Sequence, residues 1–310
     1  MSNQEPMFKG VIPPVSTLFT SEGKLDESGM KRLIDFLIDS GVDGLFFLGS
    51  GGEFSQMSVE ERKQVAAFAT NYVDKRVPVL IGTGGVHTRE VIELSEHSKL
   101  IGADGVVIIN PYYWNLSDDN LYEHYSEIAR AVDLPILLYN FPGLTGQELT
   151  PEMILKLVET HSNIVGIKDT VDTAGHIREI ILKVKSKHPH FAVFAGFDDH
   201  LWNTLSLGGD GVISASGNFA PELTIGIYQS FVNKDYGKAI ELHQRLAYLP
   251  LMYKLDSPFV NVIKEAMKLR GLIDSTYVLP PARPLSEKKI AELKTYLAKA
   301  GVEEEVQVGV

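Results

Sequence analysis

The chain has 310 residues, of which 44% are hydrophobic, a formal net charge of −11 at neutral pH and no cysteine. This length allows a large buried core, and the acidic charge argues against general binding to nucleic acid or to an anionic membrane, since both need a basic surface. Disulfides and thiol chemistry are excluded, and without a signal peptide or an apolar run of about 20 residues we expect a cytoplasmic protein that does not enter a membrane.

Short apolar segments rich in Val, Ile, Leu and Phe recur along the first two thirds of the chain. They begin at Gly10, Gly44, Val77, Gly105, Leu134, Ile164, Phe191 and Gly211. Most are followed by a segment with helical spacing, and the segment after the second strand opens with the capping-box pattern Ser58-x-x-Glu61. Eight apolar strands that alternate with helices predict an α/β fold, a closed (β/α)8 TIM barrel, with a doubly wound open sheet as the weaker alternative.

Glycines mark three of the predicted junctions from helix to strand. Gly41, Gly102 and Gly209 each stand two or three residues before a further glycine that opens a strand. A glycine often ends a helix in a left-handed conformation, so we expect these three residues to do so.

The strand pattern stops after Gly217, and the later segments have helical spacing. We therefore predict a catalytic barrel over residues 1–232 and a C-terminal helical domain with a tail over residues 233–310. The last ten residues, GVEEEVQVGV, are acidic and without periodicity, so we expect them to fray.

Lys168 is the most unusual residue of the predicted strands, because it follows Ile164, Val165, Gly166 and Ile167 at the end of the sixth strand. A lysine that points into a barrel loses hydration, which favours its uncharged form and makes it a nucleophile towards a carbonyl. Alternatively, its amine extends outward to solvent or pairs with Asp169.

Three other strand ends carry candidate functional residues, since the active sites of such barrels lie where strands end. Tyr139 ends the fifth strand, where it can transfer protons or fill the core. Residues 49–53, Gly-Ser-Gly-Gly-Glu, offer backbone N–H groups for a carboxylate or phosphate, or simply form a tight turn. Residues 112–114, Tyr-Tyr-Trp, predict a substrate pocket or a subunit contact.

The histidine and aspartate clusters predict no metal site. His188 and His190 precede the seventh strand and thus belong to the opposite end of the barrel. Asp198 begins the following helix, where an aspartate is most often an N-cap.

In these motifs the chain resembles the pyruvate-dependent class I lyases typified by dihydrodipicolinate synthase and N-acetylneuraminate lyase. The resemblance rests on G-[ST]-x-G-E at residues 49–53, on Tyr-Asn-x-Pro at residues 139–142 and on Gly-Ile-Lys at residues 166–168. Within that superfamily the stretches GLFFLGSGGEFSQ, NPYYW and YNFPGLTGQ are most similar to bacterial 2-keto-3-deoxygluconate (or galactonate) aldolases.

The resemblance implies roles for individual residues. Lys168 would form a Schiff base with the 2-oxo carbon, and Tyr139 would transfer a proton to or from a substrate hydroxyl. Ser50 would link Tyr139 to Tyr113, whose equivalent in this family reaches into the neighbouring subunit's site, so a homotetramer is expected. The implied substrate-binding residues are Ser50, Gly51, Gly52, Leu144, Thr170 and Ile213. No metal or organic cofactor is implied.

Two departures distinguish this chain from the synthase branch. The synthases usually carry an arginine two residues after the proline of the Tyr-Asn-x-Pro motif, where this chain has Leu144. Leucine forfeits a charge-assisted contact of about 1.5 to 3 kcal/mol with an anionic aldehyde. The synthases also typically have threonine at the position of Gly51, so the site here gains room for a longer polyol.

The resemblance and these departures predict a lyase that reversibly cleaves a 2-keto-3-deoxy sugar acid to pyruvate and an aldehyde such as glyceraldehyde. The alternatives are condensation of pyruvate with aspartate semialdehyde, as in dihydrodipicolinate synthase, and dehydration of a keto sugar acid. A catalytically silent barrel that only binds ligands is a further alternative, since fold alone does not determine function.

Overall fold

Eight parallel strands form the centre of the molecule, and the computed structural model describes residues 5–302. The strands are β1 Gly10–Val11, β2 Leu45–Phe47, β3 Val79–Gly82, β4 Gly105–Ile109, β5 Ile136–Asn140, β6 Ile164–Asp169, β7 Ala192–Ala195 and β8 Gly211–Val212. They are hydrogen-bonded in the order β1-β8-β7-β6-β5-β4-β3-β2. Almost every strand residue is buried, as expected for a parallel sheet that is covered on both faces.

The gap between β1 and β2 is closed by the chain just beyond β1. Phe46 donates its N–H to the carbonyl of Pro13 over 3.0 Å, and Val15 donates its N–H to the carbonyl of Phe46 over 2.7 Å. Pro14 and Phe46 thereby form a parallel bridge. The sheet is a closed barrel, which confirms the predicted (β/α)8 fold and excludes the open doubly wound sheet.

Helices surround the barrel and extend beyond it. In chain order they are α1 Glu27–Asp39, α2 Val59–Val73, α3 Thr88–Leu100, α4 Asp118–Ala131, α5 Pro142–Thr145, α6 Pro151–Thr160, α7 Ala174–Ile180, α8 Leu201–Ser206, α9 Pro221–Val232, α10 Tyr236–Leu246, α11 Leu249–Met252, α12 Val260–Leu269 and α13 Glu287–Lys299. A π-helical turn, Ile181–Lys185, continues α7, and short 3-10 turns follow several strands. Among the described residues no helix is both long and apolar enough to cross a membrane.

Most of the predicted helix ends are confirmed. The capping box at α2 is present, with Ser58 and Glu61 each bonded to the other's backbone N–H. Gly41 and Gly102 have left-handed backbones. The prediction for Gly209 is wrong, because the helix ends one residue earlier and Gly208 has the positive φ of 95°. Gly209 instead lies where an added Cβ would approach Thr204 to 2.5 Å.

The C-terminal segments are helical, as predicted, but one predicted helix is divided. The stretch from Tyr236 forms α10 and then the separate short helix α11, which contains Pro250. Proline has no N–H to continue the ladder of α10. The domain boundary at residue 232 stays a prediction. Fraying was expected for residues 301–310, which is wrong for Gly301 and Val302, because their N–H groups donate to the carbonyls of Ala298 and Leu297. Residues 303–310 lie outside the described residues.

Candidate active site

Lys168 and Tyr139 lie side by side at the carboxyl end of the barrel. They are register partners on the neighbouring strands β6 and β5. Lys168 is 4% exposed, and its Nζ lies 4.2 Å from the centroid of the Tyr139 ring and 5.3 Å from that of Phe46. Within residues 5–302 no carboxylate pairs with this amine, and it lies inside the barrel rather than extended to solvent.

Asp169, the alternative partner of Lys168, is bonded elsewhere. Its Oδ1 accepts a hydrogen bond from Asn140 Nδ2 over 2.7 Å, and its Oδ2 lies 2.9 Å from Nδ1 of His176. Successive residues of a strand point to opposite faces, so Asp169 faces away from the barrel interior while Lys168 faces into it. The lysine is therefore left available to a ligand.

The glycine-rich loop places a hydroxyl against Tyr139. Ser50 begins a 3-10 turn directly after β2, and its Oγ lies 3.3 Å from the hydroxyl of Tyr139. Gly52 is packed closely, since an added Cβ would approach the carbonyl of Val15 to 3.2 Å. The hydrogen bond between Ser50 and Tyr139 provides a path along which a proton can move.

The C-terminal helices hold this loop through a buried ion pair. Glu53, which follows Gly52 with a left-handed φ of 61°, lies 2.5 Å from Lys264 Nζ of α12. The side chains are 2% and 0% exposed. Glu53 also accepts the N–H of Leu279, and Lys264 also donates to the carbonyl of Tyr277, each over 2.7 Å. Burial lowers the pKa of Lys264, and the charge of Glu53 opposes this effect.

A cavity of about 90 Å³ lies above Lys168. Its polar lining consists of Ser50, Tyr139, Lys168, Thr170, Asp198 and Tyr253. Aromatic walls come from Phe141, Phe197 and Phe259. The hydroxyl of Thr170 is buried and has no hydrogen-bond partner among the described residues, so it can bind a ligand. Gly51 also lines the cavity.

Three of the predicted substrate-binding residues, Gly52, Leu144 and Ile213, lie outside that lining. Gly52 is buried beneath the loop. Ile213 is fully buried after β8, where its N–H donates to the carbonyl of Ala195 over 2.8 Å.

A groove of about 410 Å³ shares Ser50 and Phe259 with the cavity and contains Leu144, which is 51% exposed. Its polar lining groups are uncharged and also include Ser55, Gln56, Tyr112, Thr145 and Ser257. No cationic side chain occurs among the described residues that line it. A ligand in this groove therefore meets hydroxyl, amide and apolar groups but no positive charge.

The prediction that Asp198 is an N-cap is wrong, because its side chain makes no capping bond to its own helical turn. It points inward and accepts hydrogen bonds from the N–H of Ser216 and the hydroxyl of Tyr253, each over 3.0 Å. Burial raises the pKa of Asp198, which these hydrogen bonds oppose. Asp198 and Tyr253 were not predicted as cavity residues, although the position of Asp198 just after β7 was a usable signal.

The aromatic loop, residues 112–114, lies outside the lining of the cavity of its own chain, and one of its residues lines the groove. Tyr112 packs edge to face on Phe54, with ring centroids 6.2 Å apart, and lines the groove. Tyr113 and Trp114 are 82% and 72% exposed. The role of Tyr113 in a partner's site stays a prediction.

Comparison with known proteins places this architecture in a family. Residues 7–300 match the model of the Dihydrodipicolinate synthetase family. The chain belongs to this family. Its membership makes the protein a pyruvate-dependent class I lyase and agrees with the closed barrel and with the lysine inside it.

Relatives within the family include two Escherichia coli (strain K12) proteins. The chain is 58% identical to YagE, provisionally named a 2-dehydro-3-deoxy-D-gluconate aldolase, over 95% of this chain and 97% of YagE. It is 51% identical to YjhH, provisionally named a 2-dehydro-3-deoxy-D-pentonate aldolase, over 95% of this chain and 98% of YjhH. The crystal structure of E. coli K12 YagE in complex with pyruvate superimposes with a TM-score of 0.94 at 57% identity, over 96% of this chain and 99% of that one.

Proposed function

We propose that this protein is a Schiff-base-forming aldolase that reversibly cleaves a 2-keto-3-deoxy sugar acid, of the 2-keto-3-deoxygluconate type, to pyruvate and an aldehyde such as glyceraldehyde. The observation that carries the proposal is the placement of Lys168, Tyr139 and Ser50 around one cavity, next to a groove that shares Ser50 and Phe259 with it and is lined by no charged side chain among the described residues. The names of YagE and YjhH support the same class of substrate.

In the cleavage direction the amine of Lys168 attacks the 2-oxo carbon, and loss of water yields a protonated imine. Tyr139 accepts the proton of the C4 hydroxyl as the C3–C4 bond breaks. The electrons of that bond move to C3 and into the imine, which gives an enamine and releases the aldehyde. Protonation of the enamine at C3 and hydrolysis of the imine then release pyruvate and restore Lys168.

The Ser50 loop serves the substrate carboxylate and the proton path. The hydroxyl of Ser50 and the N–H groups of Ser50 and Gly51 surround the carboxylate, and the buried Thr170 hydroxyl contributes a further hydrogen bond. The 3.3 Å contact between Ser50 and Tyr139 carries the proton away from the reacting hydroxyl.

The groove selects an uncharged polyhydroxy aldehyde. Its hydroxyl and amide groups suit the hydroxyls of a sugar fragment, and Leu144 leaves a second carboxylate without a positive partner. Gly51 lets the chain of the substrate pass, since an added Cβ would lie within 4 Å of only two atoms, Ile263 Cδ1 at 3.8 Å and the carbonyl of Pro14 at 4.0 Å.

The test of substrate choice compares aldehydes in condensation with saturating pyruvate. We expect kcat/KM for glyceraldehyde to be well above that for aspartate semialdehyde, together with ready cleavage of 2-keto-3-deoxygluconate, because the groove offers no cation. Leu144→Arg should narrow the difference between the two aldehydes, and Leu144→Gln, of comparable length but neutral, should not.

Aspartate semialdehyde as the better substrate of the wild-type protein by about tenfold or more would contradict the proposal and favour a synthase. Loss of water from a keto sugar acid without release of pyruvate would instead favour a dehydratase.

We further propose a homotetramer in which Tyr113 acts in the site of a neighbouring subunit, because this tyrosine is 82% exposed and lies outside the lining of the cavity of its own chain. Light scattering should report a dimer or a larger assembly. Lys168→Ala and Tyr113→Phe chains, each poorly active alone, should regain activity when dissociated together and reassembled.

The gain arises because one site of each mixed pair combines an intact lysine with the partner's intact tyrosine. Random mixing restores roughly a quarter of the sites if the shared interface is two-fold symmetric. No gain over the separate variants, or a fully active monomer, would place Tyr113 outside the shared site.

A further inference from the structure

A ring of hydrogen bonds lies directly behind the pair of Lys168 and Tyr139. Asn140 and Asp169, the residues that follow them, are register partners on β5 and β6 and are joined by the 2.7 Å bond from Asn140 Nδ2 to Asp169 Oδ1. Leu149 donates its N–H to Asn140 Oδ1 over 2.9 Å. His176, in the first turn of α7, completes the ring through Nδ1 to Asp169 Oδ2 at 2.9 Å and Nε2 to the carbonyl of Leu149 at 3.1 Å.

Both ring nitrogens of His176 thus face acceptors. The carbonyl of Leu149 can only accept, and Asp169 already accepts the amide N–H of Asn140 through its other oxygen. A neutral imidazole has one N–H, so it can close only one of these two contacts. The imidazolium ion closes both, and only this form completes the ring.

The charges around His176 favour the imidazolium ion. Asp169 faces it from β6, and Glu148 approaches Nε2 to 3.7 Å from the chain before α6. Glu152 of α6 and Glu179 of α7 line the same surface pocket as His176 and Glu148. Both carboxylates accept hydrogen bonds from Lys183. Burial by itself would lower the pKa of His176, but the hydrogen bond and charge of Asp169, the charge of Glu148 and the carbonyl of Leu149 outweigh it and raise this pKa.

We propose that His176 is a positioning residue for the Schiff-base reaction, which in its protonated form locks the ends of β5 and β6 together and thereby holds Lys168 against Tyr139. The inference rests on the proposed role of Lys168 as the imine-forming residue. It assigns to His176 no contact with the substrate.

The geometry explains why such a lock affects catalysis. The side chains of Asn140 and Asp169 form the last rung of the β5–β6 pair, one residue beyond the rung of Tyr139 and Lys168. If His176 loses a proton, its hydrogen bond to either Asp169 or the carbonyl of Leu149 is lost. The end of β6, which carries Lys168, then becomes more mobile. Small displacements of a nucleophile reduce its rate strongly, because the reacting atoms need a defined approach.

The ring also makes a prediction about stability. Because the pKa of His176 is raised in the folded state, its pair with Asp169 contributes fully below 6.5, the ordinary histidine value, and this contribution is lost as the pH rises through the folded-state pKa.

The test measures imine formation in single turnovers, by borohydride trapping with increasing pyruvate, for the wild type, His176→Gln and His161→Gln. His161 is the matched control, since it is also buried and bonds to Ser126 at the opposite end of β6. In His176→Gln we expect the rate at saturating pyruvate to fall roughly 10- to 100-fold, as when a residue that orients a reactive group is removed. The half-saturating pyruvate concentration should change less than about threefold, because the Ser50 loop is untouched.

Nitrogen NMR of the wild-type protein supplies a measurement that needs no variant to fold. Both ring nitrogens of His176 should be protonated at pH 7, and the wild-type trapping rate should contain a decrease at the pH where that signal titrates. The same decrease should be missing from His176→Gln.

A single protonated nitrogen at pH 7, or an equal rate loss in His176→Gln and His161→Gln, would overturn the inference while leaving the aldolase proposal intact. Absence of any trapped pyruvate on Lys168 in the wild-type protein would reject the proposed function, and this inference with it.

Discussion

Replacement of Lys168 by alanine is expected to abolish both turnover and the adduct that borohydride traps with pyruvate. In the wild-type protein the reduced pyruvyl group should map by peptide mass spectrometry to Lys168. The reason is that its amine is buried beside Tyr139 without a carboxylate partner among the described residues, so no ion pair competes with a carbonyl for it.

Lys264 provides the matched comparison, because it is buried even more completely than Lys168. Its amine donates to Glu53 and to the carbonyl of Tyr277, so we expect no adduct there. An adduct that maps to Lys264, or one that persists in Lys168→Ala, would reject Lys168 as the nucleophile.

The second large effect is expected for stability. Lys264→Met should lower the free energy of unfolding by about 3–5 kcal/mol, because it leaves the carboxylate of Glu53 buried with no cation beside it. Equilibrium denaturation measures this change. The half-saturating pyruvate concentration should also rise, since Glu53 directly follows the loop that contains Ser50 and Gly51.

Two further variants distinguish the effect of the unpaired buried charge from the general effect of replacing a cationic side chain. Glu53→Gln combined with Lys264→Met removes both charges and should recover part of the lost stability. Arg32 pairs with Asp274 at the surface, with side chains 47% and 90% exposed, so Arg32→Met should cost no more than about 1 kcal/mol. An equal loss of unfolding free energy in Lys264→Met and Arg32→Met would mean that the buried ion pair contributes no more to stability than the exposed one.

Local sequence patterns were sufficient to predict the barrel strands and the position of Lys168 inside the barrel. Each strand has a short apolar run, and the alternation of side chains along β6 puts Lys168 on the inner face with Gly166. A charged residue on that face is conspicuous without any knowledge of its neighbours. Tyr139 and Ser50 were identified in the same way, since the ends of parallel strands meet at one end of a barrel.

Helix boundaries were predicted less well where two short elements adjoin. Two adjacent glycines follow α8, and Gly208 rather than Gly209 has the left-handed backbone, while Gly209 packs against Thr204. Aspartate is a common N-cap residue, yet the side chain of Asp198 points inward, because the hydroxyl of Tyr253 and the N–H of Ser216 donate hydrogen bonds to it there. Competition between local and distant hydrogen bonds decided the case of Asp198.

By itself, then, the sequence determined the alternation of strands and helices, the inward lysine and the residues at the strand ends, because these depend on spacings of a few residues. Only the tertiary structure decided the contacts between distant segments. Glu53 and Lys264 are 211 positions apart, and Asp198 and Tyr253 are 55 apart. His176 carries no local signal, because its two acceptors are brought together only when β6, α7 and the chain before α6 have packed. Burial gives such pairs their strength, and burial is a property of the folded chain.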